Sequence, residues 1–255
     1  VWYRITMING FCWYELRTTD IEAAQAFYTD VVKLDIRVEA GRRSLRVRGQ
    51  LVGEVLTLPE RAAAQGAPSH WLGHISVADV EASARRFVAS GADRLGPLRQ
   101  SADGTNVAIL RDPLGAVVAL TSRTRLEARL RLAWHELHTL DHQQAFSIYA
   151  DLFGWQPTEA LDLGPEVGTY QMFSWQGTAP SVGGMVSSAR LPGIHPHWLF
   201  YFEVDDLDRS LAETVSHGGR VLNGPLVMPS GARVAQCEDP QHAVFALQEA
   251  LAPTP

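Results

Sequence analysis

Short β-type runs of apolar and polar residues, each closed by an Asp and followed by a stretch with helical patterning, occur four times along the chain. The clearest is Leu72-Gly-His-Ile-Ser-Val-Ala-Asp79, a strand by its period of two, followed by a helix over 80–90 that Gly91 is placed to stop. Segments that open at Trp13, Trp134 and Leu199 repeat this order. Asp20, Asp79, Asp141 and Asp206 each stand where an N-cap carboxylate accepts a hydrogen bond from first-turn amides. After Asp20, the residues Ile21, Ala24, Phe27, Tyr28 and Val31 recur at helical spacing. Further β-type runs follow the helices, at 44–47, 107–110, 170–175 and 243–247. The pattern predicts a βαβββ unit used four times, an α+β fold.

The units are also related in sequence. Trp13-Tyr-Glu-Leu-Arg-Thr-Thr-Asp20 aligns without gaps to Trp134-His-Glu-Leu-His-Thr-Leu-Asp141, and Tyr28 and Asp30 then match Tyr149 and Asp151 at the same offset. A second offset relates His70-Trp-Leu72 to His197-Trp-Leu199, Asp79 to Asp206, Gly91 to Gly218 and Asp112-Pro113 to Asp239-Pro240. Two consistent offsets identify a tandem duplication. The predicted domains are residues 1–122, with modules 8–60 and 69–122, and residues 130–252, with modules 130–190 and 195–252. A short Arg-rich connector joins them.

Composition narrows the function. The chain has 255 residues, 46% of them hydrophobic, and a net charge of −6, which excludes disorder as the main state. That charge averages unlike halves: residues 1–127 balance to +2 and residues 128–255 to −8. Neither half is basic enough to suggest a nucleic-acid partner. No apolar run approaches the ~18 residues of a membrane span. Residues 1–7 carry one positive charge and no long apolar core follows, so no secretory leader is predicted in this segment. Cys12 and Cys237 have neither zinc-type spacing nor a disulfide framework, which fits a reducing, cytoplasmic location.

The chain resembles the vicinal oxygen chelate superfamily, which includes glyoxalases, bleomycin-resistance proteins and extradiol dioxygenases. The carriers are Asp20 with Phe27-Tyr28, Asp141 with Tyr149, Asp151-Leu-Phe-Gly-Trp155, and the closing motifs Asp112-Pro-Leu-Gly115 and Asp239-Pro-Gln-His242. The Trp-x-Glu-Leu openings and the His-Trp-Leu segments are similar to a two-domain bacterial subgroup labelled glyoxalase-like or hydroxylase-like. The resemblance implies two tandem glyoxalase-like domains, with curved mixed sheets around concave cavities. It also implies a divalent metal, held by residues seven before each capping Asp and seven after the Asp of Asp-Pro. Here those positions are Trp13, Leu72, Trp134, Leu199, Ala119 and Ala246, none of which offers a ligand atom. The expectation is therefore no family-type metal site and no cofactor, with a divalent metal left open at two places: Glu54 could occupy a ligand-like position, and Glu136, His138 and Glu203 could form a His-carboxylate cluster off the family positions.

Strand periodicity indicates what the cavities hold instead. If sequential modules pair, one contains Trp13, Glu15, Arg17, His74 and Ser76, and the other Trp134, Glu136, His138, Tyr201 and Glu203. Trp13 and Trp134 can stack on a ligand or serve as core, and Glu15 and Glu136 can bind a ligand or sit in ion pairs. His138 lies two residues from Glu136, about 6.6 Å along a strand, so both can address one small ligand. His70, His195 and His197 fall at the beginnings of strands and read as rim or structural residues. Arg42, Arg46 and Arg48 share a face that is either an anion patch or a solvated exterior.

Three readings follow. The first is a metal-independent small-molecule-binding protein, monomeric or homodimeric, with Trp13, Glu15, Arg17, His74, Trp134, Tyr201 and Glu203 as ligand contacts. The second is a lyase, isomerase or hydroxylase-like enzyme with Glu136 and His138 as catalytic residues. The third is a scaffold whose cavities are filled by side chains.

Overall fold

The computed structural model of the chain describes residues 6–7, 9–39, 41–47, 49–64, 66–101, 103–126, 132–175 and 180–250. Arg48 and residues 127–131 of the connector lie outside the described residues. The βαβββ order is present in all four modules. The helices are α1 (Ile21–Val31), α2 (Glu60–Ala64), α3 (Val80–Ala89), α4 (His142–Phe153) and α5 (Leu207–Ser216).

The four module helices begin for the reason their sequences suggest. Asp20, Asp79 and Asp206 accept from the backbone N–H three residues on, and Asp141 accepts from both Gln143 and Gln144. Each capping Asp is extended, so its side chain reaches amides that have no partner within the helix. Gly154 ends α4 in the left-handed region, at φ 72°, where a Cβ would be strained.

Two mixed sheets carry the modules. One runs Asp35–Glu39, Arg42–Val47, Gln50–Thr57, Phe11–Thr18, His70–Ser76, Val117–Thr121, Asn106–Arg111, Asp93–Arg94, with Arg99–Gln100 also on Asn106–Arg111. The other runs Gln156–Asp162, Thr169–Ser174, Gly183–Val186, Leu132–His138, His197–Val204, Val244–Glu249, Arg233–Glu238, Arg220–Val227. In each module the opening strand pairs in parallel with the closing strand, as Phe11–Thr18 does with Gln50–Thr57.

Backbone contacts group the chain into two compact units. One comprises Val1–Trp13, Leu72–Ala128 and Trp134–Trp198, and thus the two middle modules. The other comprises Tyr14–Trp71, Arg129–Ala133 and Leu199–Pro255, and thus the two end modules. Each unit therefore contains one module from each half of the duplication.

In the end-module unit, α1 packs with α5 over an aromatic core. Tyr28 makes edge contacts with Trp71 and Phe245 at ring separations of 5.1 and 5.3 Å. Trp71 Nε1 donates to Tyr28 Oη at 2.9 Å, and Tyr28 Oη donates to Asp239 Oδ2 at 3.1 Å. The other oxygen, Asp239 Oδ1, accepts from the backbone of Gln241 and Ala243, which shapes the Asp-Pro turn.

The middle-module unit repeats this chain. Trp198 Nε1 donates to Tyr149 Oη at 3.2 Å, Tyr149 Oη donates to Asp112 Oδ2 at 3.2 Å, and Asp112 Oδ1 accepts from Leu114 and Ala116. Burial raises both carboxyls above their ordinary range and holds both tyrosines well above theirs. The duplicated Tyr, Trp and Asp-Pro positions thus form a buried polar lock in each unit, joining a Tyr and Trp of one half to the Asp of the other.

Candidate functional site

The site with acid/base chemistry lies on the opening strand of the third module, within the middle-module unit. Leu132–His138 pairs in parallel with Gly183–Val186, and this places Glu136 opposite Gly184. A Cβ on Gly184 would come within 2.2 Å of the Tyr170 ring, so the glycine is what lets that ring lie across the strand. From there Tyr170 Oη donates to Glu136 Oε2 at 2.8 Å, and Trp134 Nε1 donates to Tyr170 Oη at 2.6 Å.

The second carboxylate oxygen, Glu136 Oε1, is 2.8 Å from His138 Nε2 but out of line with its N–H direction. His138 Nδ1 is 2.6 Å from Ser188 Oγ, supplied by the short 3-10 turn Ser187–Arg190. Glu136, His138, Tyr170 and Ser188 are all buried. On the other ring face, His197 stacks on His138 with centroids 4.7 Å apart and planes 9° apart. Burial, and then the neighbouring His138, lowers the His197 pKa to about 4. A carboxylate held at one oxygen by a phenol, with an imidazole beside the other, is suited to move a proton.

The corresponding place in the first half has different chemistry. In the end-module unit Glu15 stands opposite Glu54 in parallel register, so two like charges are neighbours. A guanidinium faces each: Arg17 reaches Glu15 at 2.7 Å, and Arg42 pairs with Glu54. Arg42 lies two residues before Ser44, the residue opposite Glu54; Tyr170 lies two residues before Met172, the residue opposite Gly184. The pair Glu54 and Arg42 in one half thus corresponds to Gly184 and Tyr170 in the other. His70, the repeat counterpart of His197, feels Arg17 and Glu15, and burial lowers its pKa.

The remaining expected site residues are placed as follows. Trp13 is buried, with the Arg123 guanidinium 4.0 Å over its ring, a cation–π contact on one face. His74 is buried in register with Ala119, and Ser76 bonds through its backbone to Asn9 and Gly10. Tyr201 is buried in register with Ala246, and Glu203 is half-buried opposite Gln248. Trp134, Glu136 and His138 belong to one unit, and Tyr201 and Glu203 to the other. Arg42 and Arg46 form exterior ion pairs with Glu54 and Glu39. An open recess of about 560 Å³, lined by Thr19, Leu58, Ser69 and Gln241 among others, contains none of the expected site residues.

The side chains do not fit the metal that the fold family implies. Ala119 and Ala246 are fully buried methyls, Leu72 and Leu199 are core, and the Trp134 N–H is committed to Tyr170. Glu54 faces Arg42. Among the described residues, no three His, Cys, Asp or Glu side chains are grouped to hold an ion.

Sequence reasoning reads His197 as a rim or structural residue and gives no site role to Tyr170, Ser188 or Gly184. The repeated His-Trp-Leu segment was a signal for His197. Nothing local marks the other three, because strand register brings Tyr170 and Gly184 to Glu136, and the turn brings Ser188 to His138.

Comparison with known proteins extends the picture. Residues 131–247 match the family described as "Glyoxalase/Bleomycin resistance protein/Dioxygenase superfamily", and residues 13–121 match "Glyoxalase-like domain". The chain is 30% identical over 255 residues to the Mycobacterium tuberculosis protein "Putative glyoxylase CFP32", covering 95% of this chain and 94% of that one. It is 26% identical to "Anthracycline biosynthesis protein DauV" of Streptomyces sp. (strain C5), covering 93% and 92%. Among solved structures, a Mn(II)-bound glyoxalase from Novosphingobium aromaticivorans is similar at TM-score 0.66 and 14% identity, covering 97% of this chain and 84% of that one. The 2,3-dioxygenase LapB from Pseudomonas sp. KL28 is similar at TM-score 0.65 and 14% identity, covering 98% and 96%. At these identities the solved structures speak for the fold alone. Among the described residues no helix is long and apolar enough to cross a membrane.

Proposed function

We propose, given that the chain belongs to the glyoxalase/bleomycin resistance protein/dioxygenase superfamily, that it binds a small organic molecule without a metal centre. The observation that carries this reading is the chain Trp134–Tyr170–Glu136–His138–Ser188. It begins on the residue that stands at the family's metal-ligand position and sets a carboxylate held by Tyr170 beside an imidazole held by Ser188. Glu15, Arg17, His74, Tyr201 and Glu203 belong to the same reading as ligand contacts. A cytoplasmic, reducing location goes with it, since Cys12 and Cys237 are both buried and outside any disulfide.

The test has two arms. Protein purified without chelators is analysed for metals, and small aromatic compounds are titrated against tryptophan fluorescence. Substoichiometric metal with saturable quenching is the expected result. Stoichiometric manganese, iron, zinc or nickel would overturn it.

A second reading is favoured by the 2.8 Å approach of Glu136 to His138. The pair would take a proton from carbon beside a carbonyl and return it to the same or a neighbouring carbon, as a lyase or isomerase does. Relatives named as a putative glyoxylase and an anthracycline biosynthesis protein are compatible with a carbonyl-bearing or aromatic metabolite. Solvent-deuterium incorporation into a candidate substrate, lost in Glu136→Gln, tests it.

A further inference from the structure

The hydrogen-bond geometry fixes the tautomer of His197. Its Nδ1 is 2.7 Å from the His195 carbonyl oxygen. A carbonyl only accepts, so Nδ1 carries the proton and the neutral ring has its lone pair on Nε2. The repeat counterpart is locked in the same way, His70 Nδ1 lying 2.8 Å from the Pro68 carbonyl, again two residues back. His197 Nε2 is buried and has no hydrogen-bond partner among the described residues. The residue as a whole is half-buried and Nε2 is buried; because the ring stacks face to face on His138, the Nε2 lone pair points along the ring plane and not into that neighbour.

A buried acceptor without a partner loses the hydrogen bond it had in water. It marks a place for a donor that the described residues do not supply. The neighbouring groups define that donor. Glu136 is close to the stacked ring and disfavours an anion, and His138 and His197 on facing rings disfavour a second positive charge. A neutral hydroxyl on a weakly acidic ligand meets both conditions.

We propose that His197 is a ligand-binding residue of the second-half site, whose Nε2 accepts a hydrogen bond from a neutral phenolic or enolic hydroxyl. This inference rests on the small-molecule reading above and narrows its ligand class. It also separates the two halves. In the first half the counterpart of His138 is Arg17, so His70 faces a permanent cation and its ion-paired carboxylate rather than a second imidazole.

The experiment uses the full chain with 15N-labelled histidine and two probes, phenol and its methyl ether anisole, which match in ring but differ in the O–H donor. Phenol is expected to shift the His197 Nε2 resonance saturably, while anisole leaves it in place. His197→Phe, which keeps a ring to stack on His138, is expected to weaken phenol binding about tenfold, the effect of one well-made hydrogen bond. His70→Phe is expected to leave the His197 response unchanged. Equal binding of phenol and anisole, with no Nε2 shift, would overturn the acceptor role and leave the small-molecule reading standing. An Nε2 shift absent with both probes would overturn it too, an ordered water then being the partner. Stoichiometric metal would overturn the metal-free reading whether or not Nε2 responds.

Discussion

The Tyr28 hydroxyl donates to the Asp239 carboxylate at 3.1 Å, across 211 positions of sequence, and Tyr149 does the same for Asp112 at 3.2 Å. Each bond joins a helix of one half to the closing turn of the other. Tyr28→Phe leaves a buried carboxylate oxygen and the Trp71 N–H short of a partner, and is expected to cost about 1–3 kcal/mol. Tyr149→Phe is expected to cost a similar amount. Urea midpoints of the two single variants and the double variant check this; a change below the measurement error in both would reject the lock.

The same tyrosines set a limit at alkaline pH. Their folded pKa values are raised well above the ordinary value of 10.0, first by burial and then by the carboxylates beside them. A raised pKa contributes stability that is complete below the unfolded pKa and is lost as pH rises toward the folded one. The melting temperature is expected to fall steeply above about pH 10. The double Tyr→Phe variant should be less stable at neutral pH and lose less over that interval.

His197 acts at the acid end with the opposite sign. Its pKa falls from 6.5 to about 4, so its contribution is complete above pH 6.5 and is lost as pH drops toward 4. His138, Glu136 and His195 are the charged or titratable groups that act on it. Stability measured at pH 7.0, 5.5 and 4.5 should decline more gently in His197→Phe than in the unmodified chain. A parallel decline would show that other groups carry the acid sensitivity.

Gly184→Ala tests the arrangement around Glu136. The new methyl falls 2.2 Å from the Tyr170 ring, which must swing away and release both Trp134 and Glu136. A loss of about 1–3 kcal/mol is expected, together with a changed Trp134 emission. Unaltered emission and stability would mean that the ring does not lie across the glycine.

Cys237 is fully buried, and burial pushes its thiol up to about 12, so it is expected to resist a thiol reagent at pH 8 until the fold opens. Reaction at the rate of an exposed cysteine would contradict that burial.

Much of this architecture is legible in the sequence because it rests on local rules. The capping aspartates, the period-two opening strands and the repeat offsets depend on residues a few positions apart. They predict four βαβββ modules and place Glu136 and His138 on one face. The site is legible only in part, since its decisive contacts are set by register between distant strands. Sequence spacing cannot show that Glu136 stands opposite Gly184, that Glu15 stands opposite Glu54, or that Arg123 covers Trp13. His197 is a further case. Its position at the start of a strand is visible in the sequence, but its stacking on His138 is not.

The crossed locks have a consequence for how the chain can be divided. A fragment ending in the connector keeps Tyr28 and Trp71 but gives up Asp239, and its own Asp112 is left without Tyr149. The missing partners reside on the complementary fragment, or in equivalent form on a second copy of the same one. Co-expressed pieces 1–126 and 132–255 are therefore expected to reassemble as a split protein, and the first piece alone to pair with itself so that each Tyr28 finds the Asp112 of its twin. The covalent duplication in this chain would then be a tethered form of a symmetric pair.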